Sequence, residues 1–161
     1  MLDIVTYGNE ILGRKAEPVA EIDDRIRTLA SGMLEAMSGK GIGLAGPQVD
    51  SPLRIFVTNV EGDKPRIFIN PEIVLTSQEV VAIEEGCLSL PRLYLDVTRP
   101  RSVRVQAWNE KGRPFTVETD GLLARVILHE YDHLEGVLFI DRLKPGKRDR
   151  AISQYRRLTK G

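Results

Sequence analysis

Val126-Ile127-Leu128-His129-Glu130-Tyr131-Asp132-His133-Leu134 is the stretch around which the rest of the chain is arranged. It reads as a helix: Asp120 stands ahead of it as an N-cap with Gly121 behind, and Gly136 marks its stop. Positions four apart share one helix face, so His129 and His133 present two imidazoles side by side. Two imidazoles at that spacing can hold one metal ion. Glu130 lies beside them, where it can act as the base for a metal-bound water. The competing reading is a surface helix on which two histidines fall by chance. Composition weighs against it, because the chain has two histidines and one cysteine, and both histidines are here. A third ligand must then be Cys87 or a carboxylate.

At 161 residues the chain is expected to form one domain spanning 1–161, able to bury roughly two-thirds of its unfolded surface. Formal charge is balanced but unevenly distributed. From Arg142 onward there are eight basic residues against one acid, Asp149, so the tail carries about +7 and the remainder about −7. A lone cysteine excludes an internal disulfide and suits a reducing compartment. Met1-Leu2-Asp3-Ile4-Val5 lacks the basic and long apolar regions of a signal peptide, and no transit peptide is visible. No apolar run approaches the ~18 residues of a membrane span. The expectation is a cytoplasmic, soluble protein.

Asn9 to about Lys15 suggests a short helix ended by Glu17-Pro18. A firmer helix runs from about Asp23 to Met37, with Ile26, Leu29, Met33, Leu34 and Met37 as a core stripe. Gly39-Lys40-Gly41-Ile42-Gly43-Leu44-Ala45-Gly46-Pro47-Gln48 follows. No Gly-Lys-Ser/Thr sequence and no βαβ unit accompany it, so a phosphate loop is weakly supported. A backbone passing close to a ligand is the alternative that glycine suits. Between Leu53 and Trp108 lie short β-branched runs at 54–57, 66–69, 79–83 and 102–107. Asn70-Pro71, Leu90-Pro91 and Arg99-Pro100 punctuate them. A strand at 114–118 pairs with 102–107 across a hairpin containing Asn109-Glu110-Lys111-Gly112. The order of elements argues for an α+β fold: antiparallel β-sheets around the His-Glu-x-x-His helix, with an N-terminal and a C-terminal helix. The C-terminal helix is expected at about 147–158, with Ile152, Tyr155 and Leu158 as a thin apolar stripe.

Cys87 follows a strand in Glu84-Glu85-Gly86-Cys87-Leu88-Ser89-Leu90-Pro91, which places it at a strand end or tight turn. A lone cysteine is commonly a small buried apolar residue, and a nucleophile paired with a histidine is also conceivable. A thiolate here completes a Cys-His-His set with the fourth position open, the mark of a catalytic rather than a structural site.

Gly41-Ile42-Gly43-Leu44-Ala45-Gly46-Pro47-Gln48, Glu85-Gly86-Cys87-Leu88-Ser89 and His129-Glu130-Tyr131-Asp132-His133-Leu134 resemble the three signature motifs of peptide deformylase, in the family's order. Flanking stretches from Leu12 to Val19 and Gly136 to Leu143 resemble it too. The resemblance implies a metal-dependent hydrolase that removes the N-terminal formyl group from formyl-methionine of nascent polypeptides and releases formate. It implies one divalent metal ion on Cys87, His129 and His133, natively Fe²⁺; the ligand set also suits Zn²⁺, Ni²⁺ or Co²⁺. Glu130 would take the proton from the metal-bound water and pass it to the departing amine. The Gln48 amide and the Leu88 backbone N–H would face the oxyanion. Ile42, Gly43, Ile83, Glu85, Gly86, Leu122, Arg125 and Val126 would form the substrate-binding set. Asp132 suits a second-layer or structural hydrogen bond.

The chain departs from the family's usual alanine at Gly46 and its usual glutamine at Leu128. Arg125, where many relatives are apolar, is expected to lay its stem along the methionine pocket with its charge in solvent, or else to be a solvated helix residue. The rival enzymatic reading is a zincin-type metallopeptidase, which takes a third ligand downstream of the helix, where no third histidine exists. Expected partners are formyl-Met nascent peptides and, through the basic C-terminal helix, the ribosome; no DNA or membrane partner is expected.

Overall fold

The computed structural model describes residues 1–160. Helix α1 (Asp24–Met37) starts where Asp23 accepts hydrogen bonds from the backbone N–H groups of Arg25 and Ile26. It buries Ile26, Ala30, Met33, Ala36 and Met37; Leu29 and Leu34 of the expected stripe pack at the margin of the same cluster. The expected helix after Asn9 shrinks to a 3₁₀ turn, Glu10–Gly13, capped by the Asn9 side chain.

Seven strands follow: β1 (Gly43–Ala45), β2 (Ile55–Thr58), β3 (Arg66–Thr76), β4 (Val80–Cys87), β5 (Leu90–Pro100), β6 (Ser102–Trp108) and β7 (Pro114–Asp120). Five form an antiparallel sheet in the order β1-β2-β3-β6-β7, and β4 and β5 pair as a separate hairpin. The α+β architecture with antiparallel sheets is as expected, and β6 pairs with β7 across the expected hairpin.

The expected strands need two corrections. Leu90-Pro91 and Arg99-Pro100 do mark strand boundaries, but the stretch between them, left out of the expected strands, is itself one, β5. Its inward positions Leu93, Leu95, Val97 and Arg99 alternate with exposed Tyr94, Asp96 and Thr98. The period-two signal ends on a buried arginine, so its last inward position reads as polar. Asn70-Pro71, in contrast, does not end a strand. The ladder between β3 and β6 shifts register between Ile69 and Glu72 and continues to Thr76, with Asn70 at φ 49° in the bulge. Asn70 there pins the amino-terminal segment: its Oδ1 accepts from Val19 N–H (2.8 Å) and its Nδ2 donates to the Val19 carbonyl (2.9 Å).

Helix α2 (Gly121–Leu134) carries the deciding stretch. Asp120 sits at the N-cap position but its side chain makes no capping bond; Gly121, at φ 65°, turns the chain out of β7 instead. Ala124, Ile127 and Leu134 pack on Phe56, Phe68, Val103 and Val105 of the large sheet. That burial leaves the face bearing His129 and His133 turned toward the end of β4. Helix α3 (Pro145–Lys160) extends beyond the expected 147–158 at both ends. Tyr155 and Ala151 are buried in a third cluster with Leu93, Val97, Leu138 and Phe139, while Ile152 packs at its margin. No helix among the described residues is long and apolar enough to cross a membrane.

Candidate metal centre

Three elements converge. Helix α2 presents His129 and His133, one turn apart, with ring centroids 5.1 Å from each other. Strand β4 ends at Cys87, whose Sγ lies 3.4 Å from His133 Nε2. One donor atom from each of Cys87, His129 and His133 falls within 4.8 Å of the others. One soft sulfur and two imidazole nitrogens at this spacing fit a divalent transition metal, and three protein donors leave a position for a small ligand.

The third element is the turn after β1, a 3₁₀ segment Gly46–Val49 that fixes Gln48. Gln48 is buried; its Oε1 accepts from Ala45 N–H (3.0 Å), and its Nε2 donates to Ser89 Oγ (3.1 Å) and faces Cys87 Sγ at 3.5 Å. The glycine loop approaches the site closely, as its composition suggests. A Cβ on Gly43 would meet Glu130 Oε2 at 2.6 Å and Val126 Cγ1 at 2.7 Å.

A cavity of about 450 Å³ opens onto this centre. Gln48, Cys87, Leu88, His129 and Glu130 line it, with Ile42, Gly43, Glu85, Gly86, Leu122, Arg125 and Val126. Of the expected substrate-binding set, only Ile83 lies elsewhere, in a smaller groove with Val81, Gly121 and Arg125. Tyr94, Pro91 and Arg92 line the main cavity as well. Those three come from β5, the strand whose pattern is obscured in the sequence.

Behind the ligands stands a buried ionic chain. His129 Nδ1 donates to Glu85 Oε1 (2.8 Å), leaving Nε2 free to face a metal. Glu85 also accepts from Arg99 through Nε (2.6 Å) and Nη2 (3.0 Å), and from Arg125 Nη1 (2.7 Å). Arg99 Nη1 continues to Asp132 Oδ2 (2.7 Å), and Asp132 accepts twice more from Arg142. Asp132 thus makes the structural bond expected of it. Arg125 overturns its expectation: it is 4 % exposed, and its charge is buried rather than solvated. A cation can lie this deep because Glu85 waits opposite. Arg99 and Arg142 carry no signal in the sequence beyond being arginines.

The electrostatics follow from these contacts. Burial works to raise the pKa of Glu85, but bonds from His129 and Arg99 outweigh it and hold the carboxyl at about 2. Glu130 has no arginine bonded to it and only His129 nearby, at 4.0 Å; burial dominates and pushes it up to about 7, and its Oε1 is buried without a partner. Burial opposes charge on His129, yet Glu130, Cys87 and Glu85 together hold its pKa well above the ordinary value. His133 lies well below it, through burial and the charge of His129. The arrangement is a proton acceptor poised near neutrality beside a transition-metal donor set, at the floor of a largely apolar cavity.

Comparison with known proteins places this geometry. The family model described as polypeptide deformylase matches residues 1–149. A peptide deformylase of Treponema pallidum (strain Nichols) is 47 % identical over 155 residues, covering 96 % of this chain and 95 % of that protein. The crystal structure of peptide deformylase from Thermus thermophilus superposes with a TM-score of 0.91 at 40 % identity, over 98 % of this chain and 94 % of that one. A Synechococcus elongatus peptide deformylase in complex with actinonin gives a TM-score of 0.90 at 42 % identity, over 95 % and 86 % of the two chains.

Proposed function

The chain belongs to the peptide deformylase family, and from that premise we propose that it hydrolyses the formyl group from formyl-methionine at the start of nascent polypeptides, releasing formate. The observation that carries the reading is Glu130: a buried carboxyl with one oxygen unpartnered, next in sequence to a Cys-His-His donor set on the wall of an apolar cavity. Cys87, His129 and His133 hold one divalent metal, natively Fe²⁺, with Zn²⁺, Ni²⁺ or Co²⁺ as workable replacements. When bound, it supplies Lewis acidity and lowers the pKa of water beside it. Glu130 accepts the proton that water gives up and returns it to the methionine nitrogen as the C–N bond breaks. A carboxyl with one buried oxygen left unpartnered is free to serve both transfers.

Charge developing on the formyl oxygen meets two donors, the Leu88 backbone N–H and the Gln48 amide. Gln48 suits the role because its long contact to Cys87 Sγ, at 3.5 Å, is its weaker engagement. Such donors contribute about 3–4 kcal/mol each to the transition state. Leu122, Val126 and the stem of Arg125 offer the methionine side chain an apolar wall. Gly43, which opens the edge strand β1, and Ile42 just before it offer the peptide backbone a partner.

The zincin alternative fares worse. It needs a ligand downstream of α2, and the nearest carboxylate there, Glu135, is engaged by Arg54 at 2.9 Å. The deciding assay measures formate release from a formyl-methionyl peptide alongside internal cleavage of an acetylated one. We expect formate from the first and intact second peptide; the converse would establish an endopeptidase. Actinonin, found in the Synechococcus elongatus relative, should compete with the formyl peptide here. The exposed Lys147, Arg150, Arg156 and Arg157 of α3 support a cytoplasmic ribosome contact, in which cations release counterions from RNA phosphates.

A further inference from the structure

Arg125 does more than wall the cavity. Its guanidinium makes three bonds, each of 2.7 Å: Nη1 to Glu85 Oε2 and to the Val97 carbonyl, and Nη2 to the Val81 carbonyl. Val81 lies on β4 and Val97 on β5, so one side chain of α2 is bonded to both strands of the hairpin that ends in Cys87. The same guanidinium holds one oxygen of Glu85, while the other oxygen accepts from His129 Nδ1. The terminal torsion of a glutamate is broad and weakly restrained by itself. Arg99 restrains it from β5; Arg125 restrains it from the very helix that carries His129, one turn earlier. The carboxylate that orients the ligand is thereby indexed to the ligand's own backbone.

We propose that Arg125 is a positioning residue for the metal centre: it fixes Glu85, Glu85 fixes the His129 ring, and the affinity for a divalent metal is set in part by that relay. The inference rests on the reading of Cys87, His129 and His133 as metal ligands, and is independent of the substrate. It is also distinct from pocket shaping. A residue that only bounds the methionine site would change KM and leave metal affinity alone.

The test uses metal-stripped full-length protein titrated with Co²⁺ against a chromophoric chelator, with the thiolate-to-cobalt absorption as a second reading. Arg125→Leu should raise the Co²⁺ dissociation constant roughly 10- to 100-fold, as loss of an outer-layer partner of a ligand does. Arg125→Lys keeps a cation near Glu85 but cannot span the carboxylate and both carbonyls, so its loss should be several-fold smaller. In a Glu85→Gln background the relay is already cut, and either substitution should add little. Co²⁺ affinity within twofold of wild type in Arg125→Leu, or an undiminished further loss in the Glu85→Gln background, would overturn the proposal. Should Arg125→Leu fail to fold by circular dichroism, Arg125→Lys with and without Glu85→Gln gives the same comparison: loss in the first background only supports the relay, equal loss in both overturns it. Formate release by the wild type is scored apart. Its failure would sink the proposed reaction while the Co²⁺ comparison still stood, and a wild type that binds no Co²⁺ would sink the metal reading and this inference with it.

Discussion

Glu130 differs from the acids around it in having no arginine bonded to it; its nearest cationic group is His129 Nε2, at 4.0 Å. Glu85 is wrapped by Arg99 and Arg125 and Asp132 by Arg99 and Arg142, whereas Glu130 is buried with one oxygen unpartnered. Two outcomes follow. Glu130→Gln leaves the three metal donors in place, so it should retain metal by elemental analysis yet lose roughly 10²- to 10⁴-fold of formate release through loss of the proton acceptor. Activity within a few-fold of wild type would remove Glu130 from the chemistry. The second outcome concerns metal-free protein. There the folded pKa of about 7 lies above the ordinary 4.5, so the fold favours the neutral carboxyl. That contribution is complete below pH 4.5 and is lost as pH rises through 7. A permanently neutral glutamine does not suffer the loss. Metal-free Glu130→Gln should therefore gain on wild type between those pH values and then hold a constant advantage, about a few kcal/mol at most, in urea unfolding. Parallel curves across that window would show that Glu130 is not held neutral by the fold.

The convergence of Cys87, His129 and His133 was legible in the sequence because these are scarce residue types. With two histidines and one cysteine in the chain, their assignment to one site had few competitors. Strand β5 was not legible. A buried arginine stands at its last inward position, and only the fold reveals that Glu85 lies 14 residues away to receive it. Arg125 misleads for the same reason, since its partner is 40 residues distant. The glycine turn shows the same limit at one more position. Gly46 stands in the sequence only as a departure from the family's usual alanine, but a Cβ there would meet the Leu53 carbonyl at 2.7 Å and the Ser51 carbonyl at 2.9 Å. Backbone, unlike a side-chain tip, cannot swing aside. Gly46→Ala should accordingly destabilise the protein by about 1–3 kcal/mol, and a denaturation midpoint unchanged from wild type would show that the turn has slack.

Over the whole molecule, α3 is part of the core as well as a basic surface. Tyr155 meets Tyr7 edge-on at 5.9 Å and, with Ala151, closes the cluster that holds Leu138 and Phe139 under the ionic chain. At its far end the Leu158 carbonyl accepts from Arg92, a residue of the cavity lining. Deleting residues after Pro145 thus uncovers core and should cost at least about 3 kcal/mol, the scale of losing one buried aromatic ring. A ribosome contact has to be tested without that damage. Reversing the charges of the exposed Arg156 and Arg157 should leave stability within about 0.5 kcal/mol, while weakening ribosome binding at low salt. Undiminished binding would leave α3 as a docked helix and no more. The sequence showed the charge of this helix plainly; its burial depends on Tyr7, at the other end of the chain, and could not be read from the helix alone.

Gly43 bears on how such a site could escape an inhibitor. Any amino-acid substitution there puts a Cβ 2.6 Å from a Glu130 oxygen, so a mutant that crowds out an inhibitor at this point also displaces the Glu130 carboxyl. The rim is sterically freer: Ile42, Tyr94 and Leu122 are 40 %, 61 % and 48 % exposed. A compound gripping the rim invites resistance by single substitutions, whereas one that fills the space against Gly43 leaves few viable codons through which resistance can arise.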